Sequence, residues 1–364
     1  MPGLAPLSPG TLVRTHFSWV AVSQTRKSEA GVTPNRELSH ARATLTVMNP
    51  VELPQSGRFA GIVTGGELTS AGLSRAGIRR LVSRGELTPI GRGVYASAQV
   101  PVSPGPEEQR RDRLLRMAAA VAIAGKGTVV SHRNAAIIHR LTLLDHQPGV
   151  VAITRLSGAA GSRTARPGID LHLAALPVRH VTVCEGIPVT SVARTVIDIA
   201  RTTAFKAGVV TADSALYARQ TSVAKLSAVT WDCDPWPGIR RAREVVAFCD
   251  PRAESAFESI ARVAFRDGGL PPPMLQVWVG NGERMVGRVD FLWSDQWTIG
   301  EADGAAKCAD PDLARKQLWR DTELRRAGYE VIHFTWRELA SDPAQVVQSI
   351  RVAFVRAARL RGRG

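Results

Sequence analysis

The pattern of apolar and polar positions is clearest in the last third of the chain. Apolar residues recur at helical spacing in some stretches and alternate with polar residues in others, which distinguishes helices from strands. Asn281-Gly282 is a strong hairpin signal, and Asp310 followed by Pro311 is typical of a helix start. The predicted elements are a helix over residues 254–266, strands over 275–279, 286–293 and 297–302, a helix over 310–327, a strand over 330–335 and a helix over 343–359.

The middle of the chain, residues 107–250, mixes both periodicities and predicts a second α/β region after a proline-rich linker over 102–106. Arg194 and Asp198 lie four residues apart on one predicted helix, so we expect an ion pair between them. The other elements predicted here are a helix over 107–124, a helix that opens near Ser131, strands over 150–154 and 169–173, and a helix over 192–200.

A helix, a turn, a second helix and a hairpin are predicted in that order over residues 51–100. A short helix is expected over 58–63, and a second element begins at Gly65. Ser74 is a good N-cap for a helix that ends near Ser83, and residues 87–95 pattern as a two-stranded wing. The arginines expected on the outside of the second helix and near the tip of the wing are Arg75, Arg79, Arg80, Arg84 and Arg92.

This order is that of a winged helix-turn-helix, in which a recognition helix presents basic side chains to the major groove of DNA. The alternative is a small helical domain whose arginines only keep it soluble. The residues Gly72-Leu73-Ser74-Arg75 through Leu87, ending in Arg92-Gly93-Val94-Tyr95, resemble the N-terminal domain of the AbiEi family of type IV antitoxins. That resemblance implies binding to promoter DNA, and a toxin encoded nearby as a partner.

Two acidic residues dominate the hairpin near the end of the chain. If Asp295-Gln296 forms its two-residue loop, Asp290 lies directly opposite Glu301, with the side chains about 5 Å apart. Carboxylates that close repel each other unless a proton or a cation lies between them. The spacing therefore indicates a divalent metal site.

The residues around this hairpin resemble the PD-(D/E)XK, or restriction-endonuclease-like, fold, and more closely a bacterial family related to the very-short-patch repair endonuclease. The resemblance covers about 110 residues and implies an α/β/α domain over 251–364. The matching segments are Glu254-Ser255-Ala256-Phe257-Glu258-Ser259, Val289-Asp290-Phe291, Glu301-Ala302-Asp303-Gly304 with Lys307, Arg320-Asp321, and Gly328-Tyr329-Glu330-Val331-Ile332.

The resemblance also implies roles for individual residues. Asp290 and Glu301 match the acids that hold Mg²⁺, for which Mn²⁺ is a substitute, and Glu258 matches an acid contributed by the first helix. Asp303 stands where the superfamily usually has a catalytic lysine, although the closer family often shows the same Glu-x-Asp-Gly form. Lys307 could supply the missing positive charge from the following loop.

Polar residues on the long helix over 310–327 indicate that this helix also faces the predicted site. Gln317 and Arg320 share an otherwise apolar stripe with Leu313 and Leu324. Arg320 is therefore a candidate for contact with a DNA phosphate.

The histidines and cysteines form no recognisable metal site. His132, His139 and His172 have no carboxylate or cysteine at a ligand spacing, so structural roles are expected for them. The cysteines lack paired spacing and are expected to be reduced thiols in a cytoplasmic protein. They are Cys184, Cys233, Cys249 and Cys308.

The formal net charge of +15 indicates a polyanionic partner, most often nucleic acid. Residues 251–364 hold 17 Lys and Arg against 15 Asp and Glu, a balance of +2, so +13 lies before residue 251. The arginine excess equally suits the codons of a GC-rich genome. No apolar run reaches the roughly 20 residues that a membrane span needs, and no secretory signal is visible.

Residues 1–47 lack apolar periodicity, and two explanations stay open: a disordered arm, or a start site placed too early with translation beginning at Met48. The whole pattern predicts a multidomain α/β protein with three parts. The leading hypothesis is a double-stranded-DNA-binding protein with a Mg²⁺-dependent endonuclease domain. The alternative is a non-catalytic, antitoxin-like regulator with a degenerate nuclease fold, and RNA as the substrate is not excluded.

Overall fold

Three β-sheets organise the part of the chain that the computed structural model describes. The described residues are 61–97, 105–144, 149–157, 167–280, 285–303 and 311–362. They belong to one unit that runs from Glu52 to Gly364. The predicted extension over 1–47, the Asn281-Gly282 turn and Lys307 lie outside the described residues.

The first sheet accompanies two helices and a hairpin. Ser74 is the N-cap of the second helix, as predicted, because its Oγ accepts a hydrogen bond from the Gly77 N–H at 3.1 Å. The predicted helix over 58–63 is wrong for Ile62 and Val63, which lie in a strand that their β-branched side chains favour. The elements are β1 (Ile62–Thr64), α1 (Gly65–Ser70), α2 (Arg75–Ser83), β2 (Leu87–Gly91) and β3 (Val94–Ser97). Strand β3 lies between β1 and β2 and is antiparallel to both.

The second sheet has five strands in the order β6-β5-β4-β8-β7, and four helices follow it in sequence. Its elements are α3 (Pro106–Ala124), β4 (Thr128–Val130), α4 (His132–Ile138), β5 (Val151–Leu156), β6 (Ile169–Ala174), β7 (Val181–Cys184), β8 (Ile187–Thr190), α5 (Val192–Thr202), α6 (Phe205–Tyr217), α7 (Val223–Asp232) and α8 (Ile239–Phe248). Helices α5 to α8 pack around an apolar core to which Ala136 of α4, Leu141 and Val263 also contribute. The sequence pattern did not predict α6, α7 or α8.

Helix α3 joins the cores of the first two sheets. Ile62 and Val94 of the first sheet belong to the same apolar cluster as residues 117–121 of α3. Val130 and Ile153 of the second sheet are in that cluster too. The first sheet with α1 and α2 (residues 61–97, called the head below) and the middle region therefore share a core across the predicted linker.

The third sheet has four strands in the order β12-β11-β10-β9, with β11 and β12 parallel. Its elements are α9 (Ala256–Asp267), β9 (Met274–Gly280), β10 (Met285–Trp293), β11 (Thr298–Asp303), α10 (Pro311–Arg326), β12 (Glu330–Thr335), α11 (Trp336–Ser341) and α12 (Pro343–Arg361). Phe265 of α9 and Ile350 of α12 pack with one face of the sheet, and Leu324 of α10 packs with the other. The layers are α/β/α, in the predicted order of elements with one additional short helix, α11.

In the described part of the chain, none of the helices combines the length and apolar character that a bilayer crossing needs. The three cysteines within it, Cys184, Cys233 and Cys249, are free thiols.

Candidate functional site

The acidic hairpin has the predicted register. Phe291 is paired with Gly300, and Trp293 with Thr298, which is the register that an Asp295-Gln296 loop predicts. The pairs between these strands end at Phe291–Gly300, so the placement of Asp290 opposite Glu301 stays a prediction. The Trp297 N–H donates to the Ser294 carbonyl at 3.1 Å, which places Asp295 and Gln296 at the centre of the turn.

Beside Asp290, the regular alternation of side chains between the two faces of the sheet is interrupted in β9 and β10. Leu275 and Phe291, a cross-strand pair, belong to the core beneath α9 and α12. Val277 and Val289, the pair two residues further along, belong to the core beneath α10. Residues two apart in a regular strand point to the same face, so the pleat is interrupted between these pairs. Gln276 lies at the interruption with φ +55°, an uncommon conformation for a residue other than glycine.

Gln276 connects two of the predicted acids. Its Nε2 donates to Glu258 Oε2 at 2.9 Å and to Asp290 Oδ1 at 3.2 Å. The other oxygen of Asp290 accepts the Ala302 N–H at 2.9 Å. Acids from α9 and β10 are thus joined through one amide of β9, next to the strand that carries Glu301.

Glu258 is held at the first turn of α9. Ser255 caps the helix by accepting from the Glu258 N–H at 3.2 Å, and its hydroxyl donates to Glu258 Oε1 at 2.9 Å. Burial raises the pKa of Glu258; the hydrogen bonds from Glu254, Gln276 and Ser255 act in the opposite direction, and the Asp290 charge adds to the rise.

Glu301 is almost completely buried and pairs with Arg320 of α10. The same guanidinium Nη2 donates to the Arg288 carbonyl at 2.7 Å. The structure therefore places Arg320 beside the predicted acid, and its contact with a DNA phosphate stays a prediction.

Asp303, at the position where the superfamily has lysine, lies beside a histidine. His333 Nδ1 is 2.9 Å from Asp303 Oδ2, and His333 Nε2 is 2.7 Å from Asp321 Oδ2. Gln317 donates to the second oxygen of Asp321 at 3.1 Å. Helix α10 is tied to the sheet both by this chain of contacts and by Arg320.

The donor types fit a hard divalent cation, because carboxylate oxygens are the ligands that Mg²⁺ prefers. Asp290 and Glu301 would hold it, and each is already oriented by a neighbouring donor: Gln276 and Ala302 for Asp290, Arg320 for Glu301. Across the ranges that the structure describes, no three His, Cys, Asp or Glu side chains form a group able to hold a metal ion. The metal roles of Asp290 and Glu301 therefore stay predictions.

Two polar residues of this region were missed by the sequence reasoning, Gln276 and His333, while Asp321 was quoted in a matching segment without a role. Gln276 and His333 each interrupt an otherwise apolar strand, in Leu-Gln-Val and Ile-His-Phe respectively. A polar side chain in such a strand signals a partner inside the fold, and that signal was available in the sequence.

The predicted DNA-binding arginines are exposed on the first sheet's unit. Ile78 turns into the core of this unit, and Leu81 and Val82 pack against it. Arg84 is 3.9 Å from Glu86, an exposed pair that competes little with a phosphate. The exposed arginines are Arg75, Arg79, Arg80 and Arg84 on and directly after α2, and Arg92 in the β2–β3 turn.

The histidines of the middle region have structural partners. His139 Nε2 lies 2.7 Å from the Thr190 carbonyl. His132 stacks on His172 with ring centroids 3.9 Å apart, and burial lowers the pKa of His132 to about 4.

The predicted ion pair of the middle region is confirmed. Arg194 Nε is 2.9 Å from Asp198 Oδ2, and both side chains are fully buried.

Comparison with known proteins supports the resemblance at the head. Residues 58–98 match the family model described as transcriptional regulator, AbiEi antitoxin. Two proteins from Mycobacterium tuberculosis, MT2308 of strain CDC 1551 / Oshkosh and Rv2248 of strain ATCC 25618 / H37Rv, are each 28% identical over 270 residues. The match covers 74% of this chain and 93% of each relative. The crystal structure of Rv2827c from M. tuberculosis aligns with a TM-score of 0.37 and 15% identity, over 51% of this chain and 71% of that one.

Proposed function

We propose that this chain binds double-stranded DNA through a winged helix-turn-helix formed by α1, α2 and the β2–β3 hairpin, and that it regulates transcription in the manner of an AbiEi-type antitoxin. The observation that carries the proposal is the row of exposed arginines on α2 and the hairpin, within the segment that matches the antitoxin regulator model. A toxin encoded by a neighbouring gene is the partner that this function implies.

The arginines would act mainly on the phosphates. Each phosphate that an arginine neutralises releases condensed counterions, so the logarithm of the binding constant falls with the logarithm of salt concentration by about 0.9 per contact. Loss of two contacts should therefore reduce the salt slope by about 2.

A gel-shift titration over a series of salt concentrations tests this interface. The probes are a duplex from upstream of the chain's own gene and a scrambled duplex of equal length. Arg79→Ala/Arg80→Ala should weaken binding and reduce the slope by about 2. Arg356→Ala/Arg359→Ala, which removes two exposed arginines from α12, is the matched control and should leave the slope unchanged. An unchanged slope in the α2 variant would rule out α2 as the DNA-binding helix.

A second candidate function is Mg²⁺-dependent hydrolysis of phosphodiester bonds by the α/β/α region. It is favoured by the connected acids: Gln276 joins Glu258 to Asp290, and Asp290 Oδ2 accepts from the N–H of Ala302, the residue after Glu301. A bound cation would supply positive charge for a phosphate oxygen and an activated water. Asp290 and Glu301 would provide its oxygen ligands, while Asp303 and Lys307 lie along the chain where the resemblance puts the water-orienting group.

Plasmid DNA incubated with Mg²⁺, Mn²⁺ or EDTA tests this candidate. Metal-dependent nicking or linearisation is expected for the wild-type protein, and Asp290→Asn and Glu301→Gln should abolish it. A structured RNA in a parallel reaction identifies the substrate. If neither nucleic acid is cut, or if both variants cut as well as wild type, the acids do not form a catalytic site and the regulator function stands without it.

A further inference from the structure

The structure assigns to Gln276 the role of a positioning residue, which holds the proposed metal ligand Asp290 in place by joining it to Glu258. This inference rests on the proposed metal site and adds a residue to which neither the resemblance nor the relatives assign a role. Gln276 would not touch the substrate. It would act through the two carboxylates to which it donates.

The first argument is electrostatic. Glu258 comes from a helix and Asp290 from a strand, and two nearby carboxylates repel each other when both are ionised. The Gln276 Nε2 carries two hydrogens, and the distances of 2.9 and 3.2 Å give one to each carboxylate. One neutral amide thus offsets the repulsion and fixes the distance between acids from separate elements.

The second argument concerns the backbone. A positive φ in a residue with a side chain costs roughly 1–2 kcal/mol and persists only where the surrounding structure requires it. Strand β9 is the outer strand of its sheet, so no further described strand beyond it imposes this conformation. With φ +55° at Gln276, the side chains of Leu275 and Val277 point to opposite faces of the sheet. The Gln276 amide is then directed at the two acids.

The third argument is that both carboxylate oxygens of Asp290 have a hydrogen-bond donor. One oxygen accepts from Gln276 and the other from the Ala302 N–H. A carboxylate that ligates a metal is normally fixed by such outer donors, and loss of one typically costs about 10–100-fold in metal affinity.

The experiment measures Mn²⁺ binding to the full chain by isothermal titration calorimetry, with no nucleic acid present. Gln276→Met keeps the length of the side chain but removes the donor, and it should raise the Kd for Mn²⁺ by about 10–100-fold. Gln220→Met is the matched control, because Gln220 is a glutamine of the middle region whose Nε2 donates to the His139 carbonyl at 3.1 Å, outside the proposed metal site. It should change the Kd by less than about 3-fold.

Two further variants make the result decisive. Gln276→Gly accepts the positive φ without strain, so it should fold even if Gln276→Met does not, and it should show the same loss of Mn²⁺ affinity. Asp290→Asn tests the site itself. If wild type binds Mn²⁺, Asp290→Asn does not, and the Gln276 variants bind as tightly as wild type, the positioning role is refuted while the metal site survives. If wild type binds no Mn²⁺, or if Asp290→Asn binds equally well, the metal site is refuted and the role of Gln276 with it.

Discussion

Replacement of Asp198 by asparagine should be among the most damaging single changes in the middle region. The Asp198 carboxylate is fully buried on α5. It accepts from Arg194 Nε at 2.9 Å and from Arg201 Nε at 3.1 Å. Asparagine keeps the size of the side chain but removes its charge, and it turns an NH₂ group toward one of the two guanidinium donors.

The magnitude follows from what the substitution leaves behind. Arg194 is fully buried and stacks on Trp236 at 4.4 Å, so it cannot turn out to solvent. Removal of one partner from a buried ion pair typically costs 3–5 kcal/mol, because the other charge stays buried without compensation. We expect Asp198→Asn to lower the free energy of unfolding by about 3–5 kcal/mol.

The assay is urea denaturation followed by tryptophan fluorescence and by circular dichroism. Asp112→Asn is the matched control: Asp112 pairs with Arg116 at 2.8 Å in the same i,i+4 spacing, but both side chains are exposed. That pair should contribute about 0.3–0.5 kcal/mol. If the two substitutions shift the unfolding midpoint equally, burial does not determine the strength of these pairs and the reasoning is wrong.

Two other predictions concern His132 and Gly287. Burial lowers the pKa of His132 from 6.5 to about 4, so the unfolded chain takes up a proton in this window and the folded chain does not. The free energy of unfolding should fall as the pH falls from 6.5 toward 4, by about 2 kcal/mol between pH 7 and pH 5. Urea midpoints measured at these two pH values should show a smaller loss in His132→Gln than in wild type. An equal loss in both would contradict the lowered pKa of His132. Gly287→Ala would put a Cβ 2.9 Å from Arg320 Nε, displacing that side chain from Glu301 and lowering the unfolding free energy by about 1–3 kcal/mol. Gly66→Ala is the control, because a Cβ built at this helical glycine lies 3.8 Å from its nearest neighbour, Thr64 Oγ1. It should be neutral or stabilising. Equal losses of stability in the two variants would show that the contact with Arg320 is unimportant.

Local signals explain what the sequence could predict about the fold. The turn centred on Asp295-Gln296 sets the hairpin register, because loop length and turn type fix which residues of the two strands pair. Ser74 could be identified as a helix cap from its neighbours alone. By contrast, α6 is buried along most of its length, so it lacks the polar face that makes a helix recognisable.

The candidate site was predictable only in part, for a related reason. Asp290 and Glu301 lie on the two strands of one hairpin, whose register follows from local sequence. Gln276 reaches Glu258 only because the pleat changes face at φ +55°, and the pairing of Glu301 with Arg320 joins residues 19 positions apart. Such contacts depend on how whole elements pack, and periodicity carries no information about them.

Helix α3 has a consequence for how this protein can be altered by recombination. The stretch Met117–Val121 is buried in one apolar cluster with Ile62 and Val94 of the first sheet and with residues of the five-stranded sheet. A DNA-binding head grafted from another protein would have to bring apolar residues that match this helix, or leave it bare and prone to self-association. An exchange that moves residues 61–97 together with α3 and the five-stranded sheet would keep this apolar cluster intact.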